Sequence, residues 1–434
     1  MGYYGLTPSL LRLPLVVLGG NRTLTDATEA LFFLLGFAAT ALGLWWLSRQ
    51  LLAEWAPRLP DRLHGALGFA VAAGGLLSPL LFLVSRPLVY EEAILWGVAF
   101  AAIALAAAIS LRFRPRTSTL VVLLAADLLG VLARPTVGAS AVVATAVVGA
   151  WFLRGGWPER RAGGGDGRRS VIWGGCLIVG AVVAFAAAPV LAYAKFGSFS
   201  VPYRYHVNLR THPAVLATVD HPGGVNAAAL PTKLLSILRP DSLRISLHRP
   251  FVALGEAEPT VLWPARWADV GPTWELTSSI TATLPFTTAT ATIGLGWAIL
   301  AYRRRPAGAH GNPGRESTAA IDITMVLVVS ATAALLLGLL FPGQTYRYLA
   351  DWLPLLCIGG VVGLAAVATH PPPTLRGRRL LLGAGAALLA AQLVIQVGVA
   401  IPNALKVGGE EAATCLRGPD PNPYGALGKL FCPR

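Results

Sequence analysis

The sequence predicts an all-α, polytopic membrane protein of about ten transmembrane helices, with a partly helical external loop acting as a cap. Three observations carry this. First, 55% of the 434 residues are hydrophobic and only 13% are charged, where a soluble chain carries roughly 25% charged residues. Second, the apolar residues gather in runs near the roughly 20 residues that a helix needs to cross about 30 Å of hydrocarbon. Third, the arginines fall in alternate loops.

The expected spans are 27–47, 65–85, 91–111, 118–133, 137–153, 171–194, 279–301, 320–341, 350–369 and 380–401. Backbone amides in lipid have no water to bond, and these Ala/Leu/Val/Gly runs lack the alternation of a membrane β-barrel, so each span must be a helix. The loops after the odd-numbered spans hold Arg49, Arg58 and Arg62; Arg112, Arg114 and Arg116; Arg154, Arg160, Arg161, Arg168 and Arg169; Arg303, Arg304, Arg305 and Arg315; and Arg376, Arg378 and Arg379. By the positive-inside rule these loops are cytoplasmic. The net charge of +14 is then a topology signal rather than a nucleic-acid surface, and the expected location is the plasma membrane with the cap and both chain ends outside.

The chain divides into 1–194, with an interfacial helix and six spans; the external cap at 195–278; four spans in 279–401; and an external tail at 402–434. The stretch around Pro8–Leu18 is too short and too proline-broken to span, so it reads as a helix lying in the interface. The cap holds Trp263, Trp267, Trp274, Phe196, Phe199, Phe251, Tyr203 and Tyr205, whereas disordered segments are poor in aromatics. Within it, Leu230 to Pro240 reads as a short helix bounded by prolines. Cys176 and Cys357 are expected to be small core residues. Cys415 and Cys432 share the external tail, where disulfides are permitted, and are expected to pair.

Charge beside lipid is costly and usually kept for a reason. Glu91 and Glu92 stand at the head of the third span, where acids either meet the helix dipole favourably or serve as a general base. As neighbours on a helix they should face opposite sides, so only one, Glu92 by preference, should face the core. Arg12, Arg134 and Arg347 lie at the same level; their guanidinium forks suit a lipid phosphate, and snorkelling to headgroups is the alternative. Asp351, four residues after Arg347, is expected to bridge to it. Asp127, inside the fourth span, is expected on the same face as Arg134. His206, His212, His221 and His248 lack metal-ligand spacing, and neither a P-loop nor a nucleophile elbow is present.

The pieces Tyr3-Tyr4-Gly5-Leu6-Thr7-Pro8-Ser9-Leu10-Leu11-Arg12-Leu13-Pro14, Tyr90-Glu91-Glu92-Ala93-Ile94-Leu95-Trp96-Gly97, Ala133-Arg134-Pro135-Thr136, Lys195-Phe196-Gly197-Ser198 and Tyr346-Arg347-Tyr348-Leu349-Ala350-Asp351 resemble the GT-C class of membrane glycosyltransferases. That resemblance implies transfer of a sugar from a polyprenyl-phosphate donor at the outer leaflet. Glu92, assisted by Glu91, matches the acids of the class's second external loop, and Arg347, Arg134, Arg12 and Tyr348 would hold the donor phosphate. The departing phosphate needs either an arginine or a divalent cation. The class's first-loop acid has no match here. One expectation explains this and the outward amino terminus together: a further helix and an acid precede Met1. A transporter or lipid-binding scaffold, or a non-catalytic relative of the glycosyltransferases, remains the alternative.

Overall fold

The computed structural model describes residues 6–19, 26–85, 89–154, 167–199, 230–245, 252–254, 278–304, 315–340 and 346–405. The helices are α1 (Leu6–Gly19), α2 (Asp26–Trp55), α3 (Asp61–Leu76), α4 (Pro79–Ser85), α5 (Val89–Phe113), α6 (Thr117–Ala133), α7 (Pro135–Leu153) and α8 (Gly167–Phe196). They continue as α9 (Leu230–Leu238), α10 (Ile280–Thr283), α11 (Pro285–Arg303), α12 (Arg315–Leu340), a 3₁₀ segment (Tyr346–Trp352), α13 (Leu353–Thr369) and α14 (Leu375–Leu405). Strands β1 (Leu243–Ile245) and β2 (Val252–Leu254) pair antiparallel in the cap, Leu243 opposite Leu254.

Every predicted span is helical over most of its length, and the chain has several helices long and apolar enough to cross a bilayer. By length and composition there are seven of these among the described residues, or eight if α3 and α4 form one broken span. Two expected spans fall short of that measure. α6 has 17 residues, and α11 carries Thr287, Thr288, Thr290 and Thr292. The expected 65–85 span is bent by 56° between α3 and α4, where Pro79 opens α4, and Pro285 likewise divides α10 from α11.

α5 is the axis of the bundle. Its run of Ala, Ile and Leu is apolar on all sides, as a helix surrounded by other helices must be, and Val98, Ala102, Leu105 and Ile109 are fully buried. α2, α6 and α7 wrap it. α11 and α13 pack backbone to backbone through glycine: a methyl at Gly294 would lie 1.8 Å from the Gly359 carbonyl oxygen, and one at Gly363 2.1 Å from that of Thr290. Such small-residue contacts replace the hydrophobic drive that is absent between helices in lipid.

The two ends of the bundle differ. At the arginine-rich end, Arg112 stacks 3.7 Å over the Trp151 ring, Ser170 donates to the Phe152 carbonyl at 2.6 Å, and the Trp55 indole donates to Thr324. The opposite end gathers α1, the start of α5, the α6–α7 junction, the cap elements, the 3₁₀ segment and the end of α14. Helix α9 coincides with the predicted Leu230–Pro240 helix, and its Ile237 packs in one cluster with Tyr346, Leu349 and Val399.

Cys357 is buried as expected, but Cys176 is exposed. It sits on the outward face of α8, a peripheral helix whose apolar residues Val179, Val182, Val183 and Phe185 are left exposed by the bundle, as on a lipid-facing helix. Cys415, Cys432, the four cap histidines and the cap residues Trp263, Trp267, Trp274, Phe251, Tyr203 and Tyr205 lie outside the described residues.

Candidate functional site

The charged residues converge at the end of the bundle opposite the arginine-rich loops. Glu91 and Glu92 lie in the first turn of α5, where a carboxylate offsets the unpaired amides. Pro135 begins α7 and pushes Arg134 into extended backbone, φ −147° and ψ 95°. That break takes the Arg134 side chain out of the helical path and towards the 3₁₀ segment.

Both acids are buried, Glu91 at 3% exposure and Glu92 at 0%, which corrects the expectation that only one faces the protein. α5 is covered on both flanks: α1 brings Arg12 to Glu92, and the 3₁₀ segment brings Arg347 to Glu91. Arg12 Nη2 donates to Glu92 Oε2, and Trp96 Nε1 donates to Oε1 at 3.2 Å. Both Glu92 oxygens are therefore engaged. Arg347 Nη1 stands 3.9 Å from Glu91 Oε1, beyond hydrogen-bond distance.

Asp351 does not take Arg347 as its partner. It accepts a fork from Arg134, Nε to Oδ1 at 3.1 Å and Nη2 to Oδ2 at 3.0 Å, and a third bond from Thr136 Oγ1 at 3.0 Å. The reason is helical pitch. In a 3₁₀ helix three residues make a turn, so positions four apart no longer share a face. Tyr348 sits between the two arginines, its ring centroid 4.7 Å from Arg134 Cζ and 5.4 Å from Arg347 Cζ. Gly97 lets α5 approach this junction, since a methyl there would come within 2.4 Å of Arg134 Cβ.

Asp127 is fully buried, with neither carboxylate oxygen hydrogen-bonded among the described residues, and it does not join the cluster, because Arg134 lies past the helix end and turns to Asp351. Sequence reasoning passed over Thr136 and Trp96 as site residues, although both stood in the quoted motifs. Trp96 follows Glu92 by four residues, the spacing of one helix face; nothing local in the sequence marks Thr136.

The cap docks beside this site. Lys233 of α9 is 1% exposed and donates to the Leu339 carbonyl at the end of α12 at 3.0 Å; burial pulls its ammonium down to about 8. Arg239 forks onto Asp241 at 2.6 and 3.0 Å and holds that carboxyl below its usual range. Among the described residues no group of three or more His, Cys, Asp or Glu side chains is arranged to hold a metal ion. In comparisons with known proteins, no family model, no curated protein and no solved structure matches the chain.

Proposed function

We propose that this chain is a membrane glycosyltransferase that moves a sugar from a polyprenyl-phosphate donor to an acceptor hydroxyl, with the charged end of the bundle at the outer leaflet. The observation carrying this reading is the convergence of Arg134, Arg347, Tyr348, Glu91 and Glu92 from three elements at one end of the bundle. Its two arginines flank a single ring. We assign the donor phosphate to Arg347 from its place, facing Glu91 at 3.9 Å and beside the Tyr348 ring, while Arg134 forms a bidentate pair with Asp351. Arg134 and Asp351 then position the 3₁₀ segment that carries Arg347.

The resemblance alone favoured Glu92 as base. The bonds of Glu92 to Arg12 and Trp96 suit it to fastening α1, and Glu91 is assigned as the base from its place opposite Arg347. Glu91 takes the acceptor proton as the acceptor oxygen bonds to the anomeric carbon. The bond from that carbon to the phosphate oxygen breaks, and its electron pair leaves on the polyprenyl phosphate beside the Arg347 guanidinium.

A transporter reading has the interrupted α3–α4 span behind it, since broken helices commonly expose carbonyls to an ion. Here the carbonyls at the break are taken: Gln392 Nε2 donates to Gly74 and Leu77 oxygens at 2.7 and 2.6 Å. The test is incubation of the purified protein in nanodiscs with polyprenyl-phospho-sugars. Transfer or slow donor hydrolysis that Glu91→Gln abolishes, with donor still bound, is the expected result. Full turnover in Glu91→Gln, or binding without turnover in the wild type, overturns the assignment.

A further inference from the structure

The first half of α14 stands apart from the bundle. Leu375, Leu380 and Leu382 are 64%, 65% and 74% exposed, and a methyl added at Gly383 or Gly385 would meet nothing within 4 Å. The second half is held firmly. Gln392 and Gln396 bond to α3, α10 and α11, and Asn403 bonds to the Phe82 carbonyl of α4. The detached half is thus a rigid extension of an anchored helix rather than a loose end.

Along its exposed face runs a shallow trough open to one side, formed by α14 alone between the long side chains of Leu375, Arg376, Arg379 and Leu380 and the small residues Gly383, Ala384 and Ala387. Residues 375 to 387 span about 18 Å at 1.5 Å per residue, close to one leaflet, half of the roughly 30 Å hydrocarbon core. The small residues form the floor at the deep end and the two arginines stand at the arginine-rich end. Arg378 is used within the protein, donating to the Pro372 carbonyl at 3.0 Å. The side chains of Arg376 and Arg379 make no hydrogen bond or ion pair to another described residue. No Asp or Glu occurs between residues 352 and 409, so the local chain offers them no counter-charge.

We infer that this trough binds one anionic phospholipid, its acyl chain on Gly383, Ala384 and Ala387 and its phosphate on the forks of Arg376 and Arg379. A guanidinium fork matches phosphate oxygens geometrically as well as electrically. A second copy of the chain is the poorer occupant. A two-fold contact along this face is self-complementary, so in a parallel pair it sets the arginines of one copy against those of the other. The site lies at the far end of the bundle from the glycosyl-transfer residues and is independent of that activity.

Native mass spectrometry of the full chain tests it, with the protein released from micelles doped equally with phosphatidylglycerol and phosphatidylcholine. The expected spectrum retains one phosphatidylglycerol about tenfold over phosphatidylcholine, equivalent to about 1.4 kcal/mol. The double variant Arg376→Gln/Arg379→Gln loses the preference. The variant Ala384→Leu/Ala387→Leu keeps both arginines but fills the trough, and it loses the retained lipid; all four side chains are exposed, so both variants should elute as the wild type does. Retention in the filled-trough variant means that the arginines merely snorkel and overturns the site. Equal retention of the two lipids, or a dimer as the main species, overturns it too.

Discussion

Asp351→Ala removes the acceptor of three bonds at once: two from Arg134, at 3.1 and 3.0 Å, and one from Thr136 at 3.0 Å. It leaves a guanidinium with its counter-ion gone, and breaking one side of a buried pair costs about 3–5 kcal/mol. Arg134 is 21% exposed and Asp351 8%, and the Tyr348 ring retains a cation–π contact. Water and that ring offset part of the loss and set the expectation at the low end, about 3 kcal/mol. Replacing both partners by apolar residues, Arg134→Met with Asp351→Leu, removes the desolvation cost together with the attraction and should return most of the stability. The assay is a double-mutant cycle of unfolding free energies in mixed micelles with increasing sodium dodecyl sulfate. A coupling energy of about 2 kcal/mol or more is expected. Single variants costing under about 1 kcal/mol, or a double variant equal to their sum, would show that the fork does not hold the 3₁₀ segment to the α6–α7 junction.

Gly294→Ala should strongly lower thermal stability, because its methyl would lie 1.8 Å from the Gly359 oxygen and α11 must separate from α13; an unchanged melting temperature would refute backbone contact there. Lys233 holds its proton less tightly folded than unfolded, with a value pulled from 10.5 to about 8. Between those values the unfolded chain binds more protons, so this group makes stability rise with pH from about 8 towards 10.5. Lys233→Met should remove that rise, and identical pH profiles for the two proteins would count against the buried position.

The helices were legible, though not all ten as spans, because lipid imposes one rule on every residue within it: apolar run length and the alternation of arginine loops mark where helices begin and end. Which residues the site contains was partly legible for a similar reason, since a charge at the lipid boundary stands out by its cost. Pairing was not. Glu91 and Glu92 looked mutually exclusive because a helix wheel knows nothing of what surrounds it, and α5 turned out to be enclosed on both flanks. Asp351 looked like the partner of Arg347 because four-residue spacing assumes an α-helix. Cys176 looked like a core residue because an apolar run is equally apolar whether it faces protein or lipid.

The sequence by itself therefore determined that this is a helical multi-pass membrane protein, where its basic loops lie, the short α9 helix in its cap, and the charged residues of its candidate site. Only the tertiary structure decided that Arg134 belongs to Asp351, Arg12 to Glu92 and Arg347 beside Glu91, and that α14 stands half free of the bundle. These pairings join residues from 80 to 256 positions apart, a choice made by packing around α5 and by the 3₁₀ pitch of residues 346–352, neither of which local periodicity encodes.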